Sequence, residues 1–383
     1  MEPRKTRLDV PTNNSSGSFP EDFIGRSWDG TNNTTRSSSR SDLIHASVSQ
    51  CLSGILDEEP SLSYSEEFDP NNPDFEFSIT NVPFLCRSKS GSKRAQQFIA
   101  RSRPEEIEHI VEVVSPHLGE LMSDLYGNYM CQTLFQSCSA RQRLTLLNGM
   151  KDDLISVSKN PRGTHSLQTV IRLASLPEEE AVYQRAFQGH IVRLSMETNA
   201  SHVIQSLLST LKNRHFIIRE IVGHIRELAL DKLGLCVIKK CVNDPQVFNE
   251  LLGQAIVLMQ DPYGNYALQH MIDTWQEECS FQIINCIKGK VVQLCIQKYS
   301  SNVMEKCLKE ERMRREIINE LIAGGKIQVL LGCPYGCYVL RTAALEAEPE
   351  LREGLRRAIT AVIPQIHQKK LKPRWDEILS YLS

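Results

Sequence analysis

The amino-acid sequence predicts an all-α protein built as an α-solenoid of eight repeats, preceded by a disordered tail. Three observations predict this fold class. A motif recurs about every 36 residues from residue 82 onward, apolar residues within each copy follow helical spacing, and residues 1–80 contain few branched apolar side chains. A helical unit of this size cannot bury its apolar face alone, so neighbouring units must stack.

The predicted tail is acidic and polar. Residues 1–80 hold 6 Lys+Arg against 14 Asp+Glu, a net charge of −8, whereas the whole chain carries −2 and residues 81–383 therefore carry +6. Runs such as NNSSGS and TNNTTRSSSRS offer few side chains whose burial would repay the entropy of ordering the chain. We expect residues 1–80 to be disordered and residues 81–383 to form a repeat domain with C-terminal capping helices.

Several functional classes are excluded by composition and motifs. No apolar run approaches the roughly 18 residues that span a bilayer, and the start MEPRKTRLDVPTNN lacks the apolar stretch of a secretory signal, so we expect a cytosolic or nuclear protein without membrane attachment. The twelve cysteines form no CxxC pair, and no zinc site or cofactor is expected; the thiols are predicted to serve as small apolar residues. Without GxSxG, HExxH, P-loop or GxGxxG motifs, we expect no enzyme.

Each repeat contains one anchor residue, which we number position 0. The anchors are Ser92, Asn128, Thr164, Ser201, Leu235, Asn265, Ser301 and Cys337, separated by 36, 36, 37, 34, 30, 36 and 36 residues. Position −1 is small in every copy, and positions −7 and −10 are apolar in every copy. This pattern predicts a first helix that ends near a small residue, which permits a tight turn or close packing.

The residues after the anchor predict a second helix. Positions +2, +3, +6 and +7 are mostly apolar, as in the copies Met130, Cys131, Leu134, Phe135 and Val203, Ile204, Leu207, Leu208. At 100° per residue these positions cluster on one face, whereas positions 0, +1 and +4 occupy a different arc. We therefore expect each repeat to display three side chains away from the core.

The three displayed positions share a chemical pattern across the repeats. Position +4 is long and polar in every copy, with Gln in five, and position +1 is a flat group in six. A flat group beside hydrogen-bonding groups can stack an unpaired base and read its edge. An ordinary solvated helix face would instead carry Lys and Glu without a Gln column.

Eight repeats of about 36 residues with GNYxxQ and SNxxE at matching places resemble the Pumilio, or PUF, family of RNA-binding proteins over residues 82–350. The resemblance implies three-helix repeats in a right-handed, crescent-shaped array, with single-stranded RNA running antiparallel and the last repeat at its 5′ end. It further implies a monomeric, cytoplasmic protein that binds messenger-RNA 3′ UTR elements of the UGU...UA type and regulates translation and stability. Regulatory proteins would bind the N-terminal tail.

The resemblance also assigns site residues. Base edges would be contacted from positions 0 and +4 by Ser92, Gln96, Asn128, Gln132, Thr164, Gln168, Ser201, Gln205, Asn265, Gln269, Ser301, Glu305 and Arg341. Bases would stack on position +1, at Lys93, Tyr129, His165, His202, Tyr266, Asn302 and Tyr338. Repeats 2 and 6 resemble uracil readers, repeat 7 a guanine reader and repeat 1 an adenine reader, which implies the target n-G-U-n-n-n-U-A.

Four repeats leave their base undetermined. Repeat 5 offers Leu235, Cys236 and Lys239, without a flat group or amide, and is expected to tolerate any base or let it turn away. Repeats 3 and 4 keep Gln beside His, and repeat 8 replaces Gln by Arg341. Two alternatives stay open: a relative that recognises the shape of structured or ribosomal RNA through phosphates, and an armadillo or HEAT-like peptide scaffold, whose periods are longer, about 40 to 47 residues.

Overall fold

The computed structural model of the chain describes residues 78–366 and 369–383. The disorder predicted for residues 1–80 falls almost entirely on residues outside this described part and stays a prediction. Within the described part the chain is helical and contains no β-strand. The all-α prediction is therefore confirmed for these residues.

Each of the eight repeats consists of three α-helices. The first helices are Val82–Leu85, Leu118–Ser123, Leu154–Lys159, Ile191–Ser195, Ile225–Leu230, Ala255–Met259, Val291–Cys295 and Ile327–Leu331. The second, which we call the central helices, are Lys89–Ile99, Gly127–Ser137, Gly163–Arg172, Ala200–Thr210, Lys232–Cys241, Gly264–Trp275, Ser300–Cys307 and Pro334–Glu346. The third helices are Pro104–Val114, Ala140–Gly149, Pro177–Phe187, His215–Ile221, Pro245–Gly253, Glu277–Ile287, Glu311–Ala323 and Pro349–Val362.

Short 3-10 turns and one further helix complete the described part. The turns are Ile79–Asn81, Ser115–His117, Ile363–Gln365 and Lys369–Leu371. The chain ends with Lys372–Tyr381, which we call the terminal helix. Its Trp375 and Ile378 side chains are buried, so this helix covers the end of the array, as a terminal repeat must.

The repeats stack as a helical solenoid. Each central helix packs against the central helix of the following repeat, and the last one packs against the terminal helix. The central helices therefore form one continuous row, which places their equivalent side chains at regular intervals. The solenoid prediction is confirmed, while its right-handed twist and crescent curvature stay predictions.

The apolar columns of the sequence form the core. All sixteen residues at positions −10 and −7 are buried, from Val82 and Leu85 in repeat 1 to Ile327 and Leu330 in repeat 8. Positions +2, +3, +6 and +7 are equally buried where the sequence pattern is clearest, as at Met130 and Phe135. Helical periodicity thus identified correctly which side chains hold the repeats together.

Two kinds of polar contact reinforce the apolar core. Within repeat 4, Glu220 accepts hydrogen bonds from the backbone N–H groups of Gly189 (2.6 Å) and Ile191 (3.1 Å), which closes the turn before the first helix. Gly189 has φ 83°, a left-handed conformation that favours glycine. Between repeats 2 and 3, Arg143 Nε donates to Oε1 of the buried Glu179 at 3.0 Å.

The cysteines behave as small apolar side chains. The eleven cysteines of the described part are free thiols, and eight of them are buried. Burial raises the pKa of the Cys86 thiol to about 12. Among the residues that the structure describes, no cluster of three His, Cys, Asp or Glu could hold a metal ion, and no helix has the length and apolar character to cross a bilayer.

Candidate nucleic-acid interface

In repeats 2, 3, 5 and 6 the start of the central helix is fixed by the residue at position −4, which caps it. Asp124 Oδ1 accepts hydrogen bonds from the N–H groups of Tyr126 (2.9 Å) and Gly127 (2.7 Å). Asn160, Asp231 and Asp261 make the same pair of bonds at the starts of their central helices. A side-chain oxygen at this place satisfies N–H groups that have no partner inside the helix.

The small residue at position −1 lets the central helix approach the first helix. A Cβ atom on Gly163 would lie 2.4 Å from the Val157 carbonyl oxygen, and one on Gly336 would lie 2.5 Å from that of Leu330. In repeat 7 the place is taken by Ser300, whose hydroxyl donates to the Leu294 carbonyl at 2.6 Å. The angle between the first and central helices, and with it the direction of positions +1 and +4, depends on this contact.

The three positions expected to be displayed differ in exposure. Position +1 is exposed or half-buried, position +4 is half-buried in all eight repeats, and position 0 is buried in all eight. The expectation that the anchor is displayed is therefore wrong. Around the helix axis, position 0 lies only about 20° from the apolar position +7. Positions +4 and +1 lie about 40° and 100° from position 0 in the opposite direction, farther from the apolar face.

The buried Asn anchors of repeats 2 and 6 orient the neighbouring Gln. Asn128 Nδ2 donates to the carbonyls of Asp124 (2.9 Å) and Leu125 (3.0 Å), and its Oδ1 accepts from Gln132 Nε2 at 3.3 Å. The amide of Asn265 donates to two carbonyls in the same way, and its Oδ1 accepts from Gln269 Nε2 at 3.0 Å. Both Gln amides are thereby held with their nitrogen toward the anchor.

The hydroxyl anchors of repeats 1 and 3 join each repeat to the next. Ser92 Oγ donates to the Tyr126 carbonyl at 2.7 Å, and Thr164 Oγ1 donates to the Asn199 carbonyl at 2.8 Å. Ser92 Oγ also accepts from Gln96 Nε2 at 3.0 Å. In repeats 4 and 7 the anchors instead donate to their own chain, Ser201 to Thr198 and Ser301 to Lys298, both at 3.3 Å.

Threonines at position +5 hold the +4 side chain of the preceding repeat. Thr342 Oγ1 donates to Glu305 Oε2 at 3.1 Å, and the single hydroxyl hydrogen of Thr169 has two acceptors at 3.2 Å, Gln132 Oε1 and the His165 carbonyl of its own helix. Sequence reasoning missed these residues. The available signal was a polar +5 column, which consists of Gln97, Thr133, Thr169, Ser206, Lys240, His270, Lys306 and Thr342.

The +1 column presents flat side chains to solvent. Tyr129 is 56% exposed, Tyr338 48% and Tyr266 37%. His165 is exposed and His202 half-buried. Burial, together with the nearby charge of His165, lowers the pKa of His202, so its ring is neutral at physiological pH. The remaining predicted stacking residues are Lys93, which is exposed, and Asn302, which is half-buried.

Repeat 5 contains no side chain suited to reading a base edge. Its anchor Leu235 is buried, and the half-buried Cys236 thiol contacts the Lys232 carbonyl at 3.6 Å. The backbone carbonyl of Lys239 is bonded to His270 Nε2 of repeat 6 at 3.1 Å. The bond from His270 joins repeats 5 and 6, and the Lys239 ammonium is the polar group at position +4.

In repeat 8 the predicted site residues contact the terminal helix. Arg341 Nε donates to Glu377 Oε1 at 2.7 Å, and this hydrogen bond raises the pKa of Arg341. The guanidinium carbon of Arg374 lies over the Tyr338 ring, 4.9 Å from its centroid. The base-edge prediction for Arg341 therefore concerns a guanidinium that is already paired with a carboxylate.

The sequence and the fold both have counterparts among known proteins. A family model described as the Pumilio-family RNA binding repeat matches residues 117–150, 190–222, 224–244, 254–288 and 290–322. Pumilio homolog 12 of Arabidopsis thaliana is 30% identical over 315 residues, which cover 79% of this chain and 52% of the relative. A Pumilio domain-containing protein of Schizosaccharomyces pombe is 29% identical over 338 residues, covering 86% and 49%. The chain spans about half the length of these relatives.

A solved structure has the same arrangement of helices. The Puf4 RNA binding domain bound to HO endonuclease RNA 3′ UTR recognition sequence matches with a TM-score of 0.72 and 28% sequence identity. The match covers 79% of this chain and 98% of that domain. The likeness therefore spans nearly the whole of the solved domain.

Proposed function

The described part of this chain is a Pumilio-family (PUF) RNA-binding repeat domain, and on that basis we propose that the chain binds single-stranded RNA sequence-specifically, one nucleotide per repeat. The observation that carries the proposal is the row of central helices, on which flat +1 side chains alternate with half-buried polar +4 side chains. Unpaired bases stack on flat side chains and are read by hydrogen bonds to their edges.

Repeats 2 and 6 are proposed to take uracil. In each, the anchor oxygen keeps a second lone pair beside the bond from Gln, and the Gln nitrogen keeps a second hydrogen. Uracil offers an N3–H donor next to a carbonyl acceptor, which complements one acceptor and one donor. Tyr129 and Tyr266 would stack on the ring.

Repeat 7 is proposed to take guanine. Guanine places two donors, N1–H and N2–H, on one edge, and a carboxylate accepts both. Glu305 at position +4 supplies that carboxylate, and its Oε2 accepts a hydrogen bond from the Thr342 hydroxyl. Together with adenine at repeat 1, contacted by Ser92 and Gln96, these assignments give the target n-G-U-n-n-n-U-A with repeat 8 at the 5′ end.

The burial of the anchor side chains refines this proposal. The anchors are at most 8% exposed, so they would contact a base through one atom at most. Position +4 then supplies most of the contact with the base edge, and the anchor determines how the +4 group is turned. This division follows from the bonds between Asn128 and Gln132 and between Asn265 and Gln269.

The wider role follows from the target class. A reader of a short UGU...UA element suits a post-transcriptional regulator that acts on messenger-RNA 3′ UTRs, as a cytoplasmic monomer without catalytic activity. The acidic residues 1–80 would bind regulatory proteins and not RNA. Deletion of residues 1–80 should accordingly leave RNA affinity nearly unchanged, and a large loss of affinity would contradict this assignment.

Direct binding at one fixed salt concentration tests the proposal, because phosphate contacts make affinity depend on salt. The RNA is an eight-nucleotide strand with G-U and U-A at the proposed places. Tyr266→Ala and Gln269→Ala should each weaken binding by at least about fivefold, the low end for loss of one stacked base. Phe281→Ala removes a more exposed aromatic, 61% against 37% for Tyr266, from a third helix and serves as the control.

The same measurement separates the alternatives. A shape-reading protein would bind the strand and a scrambled strand of the same composition with equal affinity, and neither variant would change the ratio. A peptide-binding scaffold would bind neither strand. Either result would contradict sequence-specific binding.

A further inference from the structure

The +4 side chains of several repeats are oriented by hydrogen bonds to neighbouring groups. Gln96, Gln132 and Gln269 each donate through Nε2 to the anchor of their own repeat, at 3.0, 3.3 and 3.0 Å. Glu305 accepts from the Thr342 hydroxyl of the following repeat. A +4 group that is proposed to contact a base edge therefore has a second contact, which fixes how the group is turned.

The anchor of repeat 8 is poorly suited to orienting its +4 side chain. Cys337 is buried, and its thiol contacts the Leu331 carbonyl at 3.5 Å. A thiol sulfur is a weak acceptor, and Arg341 at position +4 has donors only. An unrestrained arginine adopts many rotamers, so it would lose conformational entropy when it bound a base.

The terminal helix supplies the contact that the anchor does not. Glu377 Oε1 accepts from Arg341 Nε at 2.7 Å and from the Tyr381 hydroxyl at 3.2 Å. The guanidinium carbon of Arg341 also lies 5.7 Å from the centroid of the Tyr381 ring. Glu377 is thus itself held by Tyr381, and it makes a short, charge-assisted hydrogen bond to the +4 group of repeat 8.

The side of Arg341 that would meet a base is different from the side that Glu377 holds. The hydrogen bond to Glu377 is made by Nε, whereas a base would be contacted through the N–H groups of Nη1 and Nη2. These groups can only donate, so they match a base edge with two adjacent acceptors. Cytosine presents such an edge at O2 and N3, whereas uracil places its N3–H donor between two carbonyls.

We propose that Glu377 is a positioning residue for base recognition by repeat 8. The inference rests on the proposed RNA binding. By accepting from Nε, the carboxylate restricts rotation of the guanidinium and keeps the Nη groups in one orientation before RNA binds. The selectivity of repeat 8 for the nucleotide at the proposed 5′ end therefore depends on a residue that lies outside the eight repeats.

A carboxylate that only stabilised the terminal helix would have a different effect. Loss of stability weakens binding of every RNA alike. Removal of a negative charge near the proposed RNA path raises the affinity for every strand alike, through its phosphates. Loss of positioning instead changes the ratio of affinities for two strands that differ in one base, so this ratio is the quantity to measure.

The test uses two eight-nucleotide strands that carry cytosine or uracil at the place of repeat 8 and are otherwise identical, at one salt concentration. For the unmodified chain we expect the cytosine strand to bind at least about fivefold more tightly. Glu377→Ala should reduce this ratio below about twofold. Glu377→Gln keeps an oxygen that accepts from Nε and should retain part of the ratio. Asp376→Ala removes an exposed carboxylate from the same helix and should leave the ratio unchanged.

A double-mutant cycle identifies the residue through which Glu377 acts. In the background of Arg341→Ala, Glu377→Ala should cause no further change in the ratio, because no guanidinium remains to be positioned. A further change in that background, or an unchanged ratio in Glu377→Ala alone, would overturn the positioning role. Equal binding of both strands by the unmodified chain would also overturn it. Absence of binding to either strand would instead count against the proposed RNA binding.

Discussion

Thr342 donates its hydroxyl hydrogen to Glu305 Oε2 across 3.1 Å, and so a side chain of repeat 8 holds the carboxylate of repeat 7. Thr169 of repeat 3 contacts Gln132 Oε1 of repeat 2 at 3.2 Å and shares its hydroxyl hydrogen with the His165 carbonyl of its own helix. The orientation of a +4 group therefore depends on the repeat that follows it. The side-chain conformations of one repeat therefore depend on contacts with the repeat that follows it.

The Thr342–Glu305 hydrogen bond gives a prediction about guanine selectivity. Thr342→Val keeps the shape of the side chain and removes the donor, so the Glu305 carboxylate loses a hydrogen bond that fixes its orientation toward the base. We expect affinity for the G-containing RNA to fall about tenfold relative to an RNA with adenine at that place, since a hydrogen bond to a charged group contributes roughly 1.5 kcal/mol or more. Paired binding measurements on the two RNAs provide the ratio.

Thr133→Val is the matched control for this prediction. Thr133 occupies the same +5 position in repeat 2, but its hydroxyl donates to the Tyr129 carbonyl of its own helix. Its substitution should leave the selectivity ratio unchanged. A ratio unaffected by Thr342→Val, or altered equally by both variants, would contradict a positioning role for Thr342.

The close contact between position −1 of the central helix and the first helix predicts that two glycine substitutions differ in their effect on stability. Gly163→Ala would place a Cβ atom 2.4 Å from the Val157 carbonyl oxygen, and relief of this overlap must separate two helices. We expect a loss of about 1 to 3 kcal/mol in the free energy of unfolding. Gly253→Ala, at the end of a third helix, meets no atom within 4 Å and should leave stability unchanged or raise it slightly. Thermal unfolding of both variants measures this difference in stability.

The buried pair between the third helices of repeats 2 and 3 predicts a large loss on truncation. Glu179 is 1% exposed, and its Oε2 also accepts from the N–H groups of Ser175 and Leu176. Arg143→Ala leaves that carboxylate buried without its cation, which should cost roughly 3 kcal/mol. Arg356→Ala breaks the exposed contact with Glu353 and should not shift Tm measurably. Equal Tm values for the two variants would contradict the argument.

Two histidines predict how stability changes with pH. Burial lowers the pKa of His202 and of His270, with further lowering from His165 at the first and from Lys239 at the second. The unfolded chain therefore binds protons at a higher pH than the folded one, so stability is fully present above about pH 6.5 and falls as the pH decreases below it. Asp273 opposes the shift at His270.

Thermal unfolding between pH 7.5 and 5.5 measures this effect. The unmodified chain should lose stability over that range, and His202→Gln combined with His270→Gln should flatten the decline. A decline of the same steepness in the double variant would assign the pH dependence to other groups.

The core and the stacking order were predictable from the sequence because both depend on local periodicity. Positions −10 and −7 repeat at an i, i+3 interval, and every residue in them is buried. The requirement for stacking follows from the same columns, since one repeat cannot cover its own apolar face. Both properties can be predicted without knowing which neighbouring side chains contact each helix.

Other properties of the site depend on neighbours that periodicity does not reveal. The anchors lie at the edge of the apolar arc, and whether such a residue is buried is decided by the adjacent central helix. The bonds of Thr342 and Glu377 cross between repeats, 37 and 36 residues from their partners.

Selection of bound RNAs from a random pool, at one salt concentration, tests the central claim most directly when it is performed on the unmodified chain and on Ser301→Asn combined with Glu305→Gln. The account predicts that the unmodified chain recovers n-G-U-n-n-n-U-A, and that the double variant recovers uracil in place of that guanine while the other positions stay the same. Recovery of the same consensus by both proteins, or of no consensus by the unmodified chain, would contradict it.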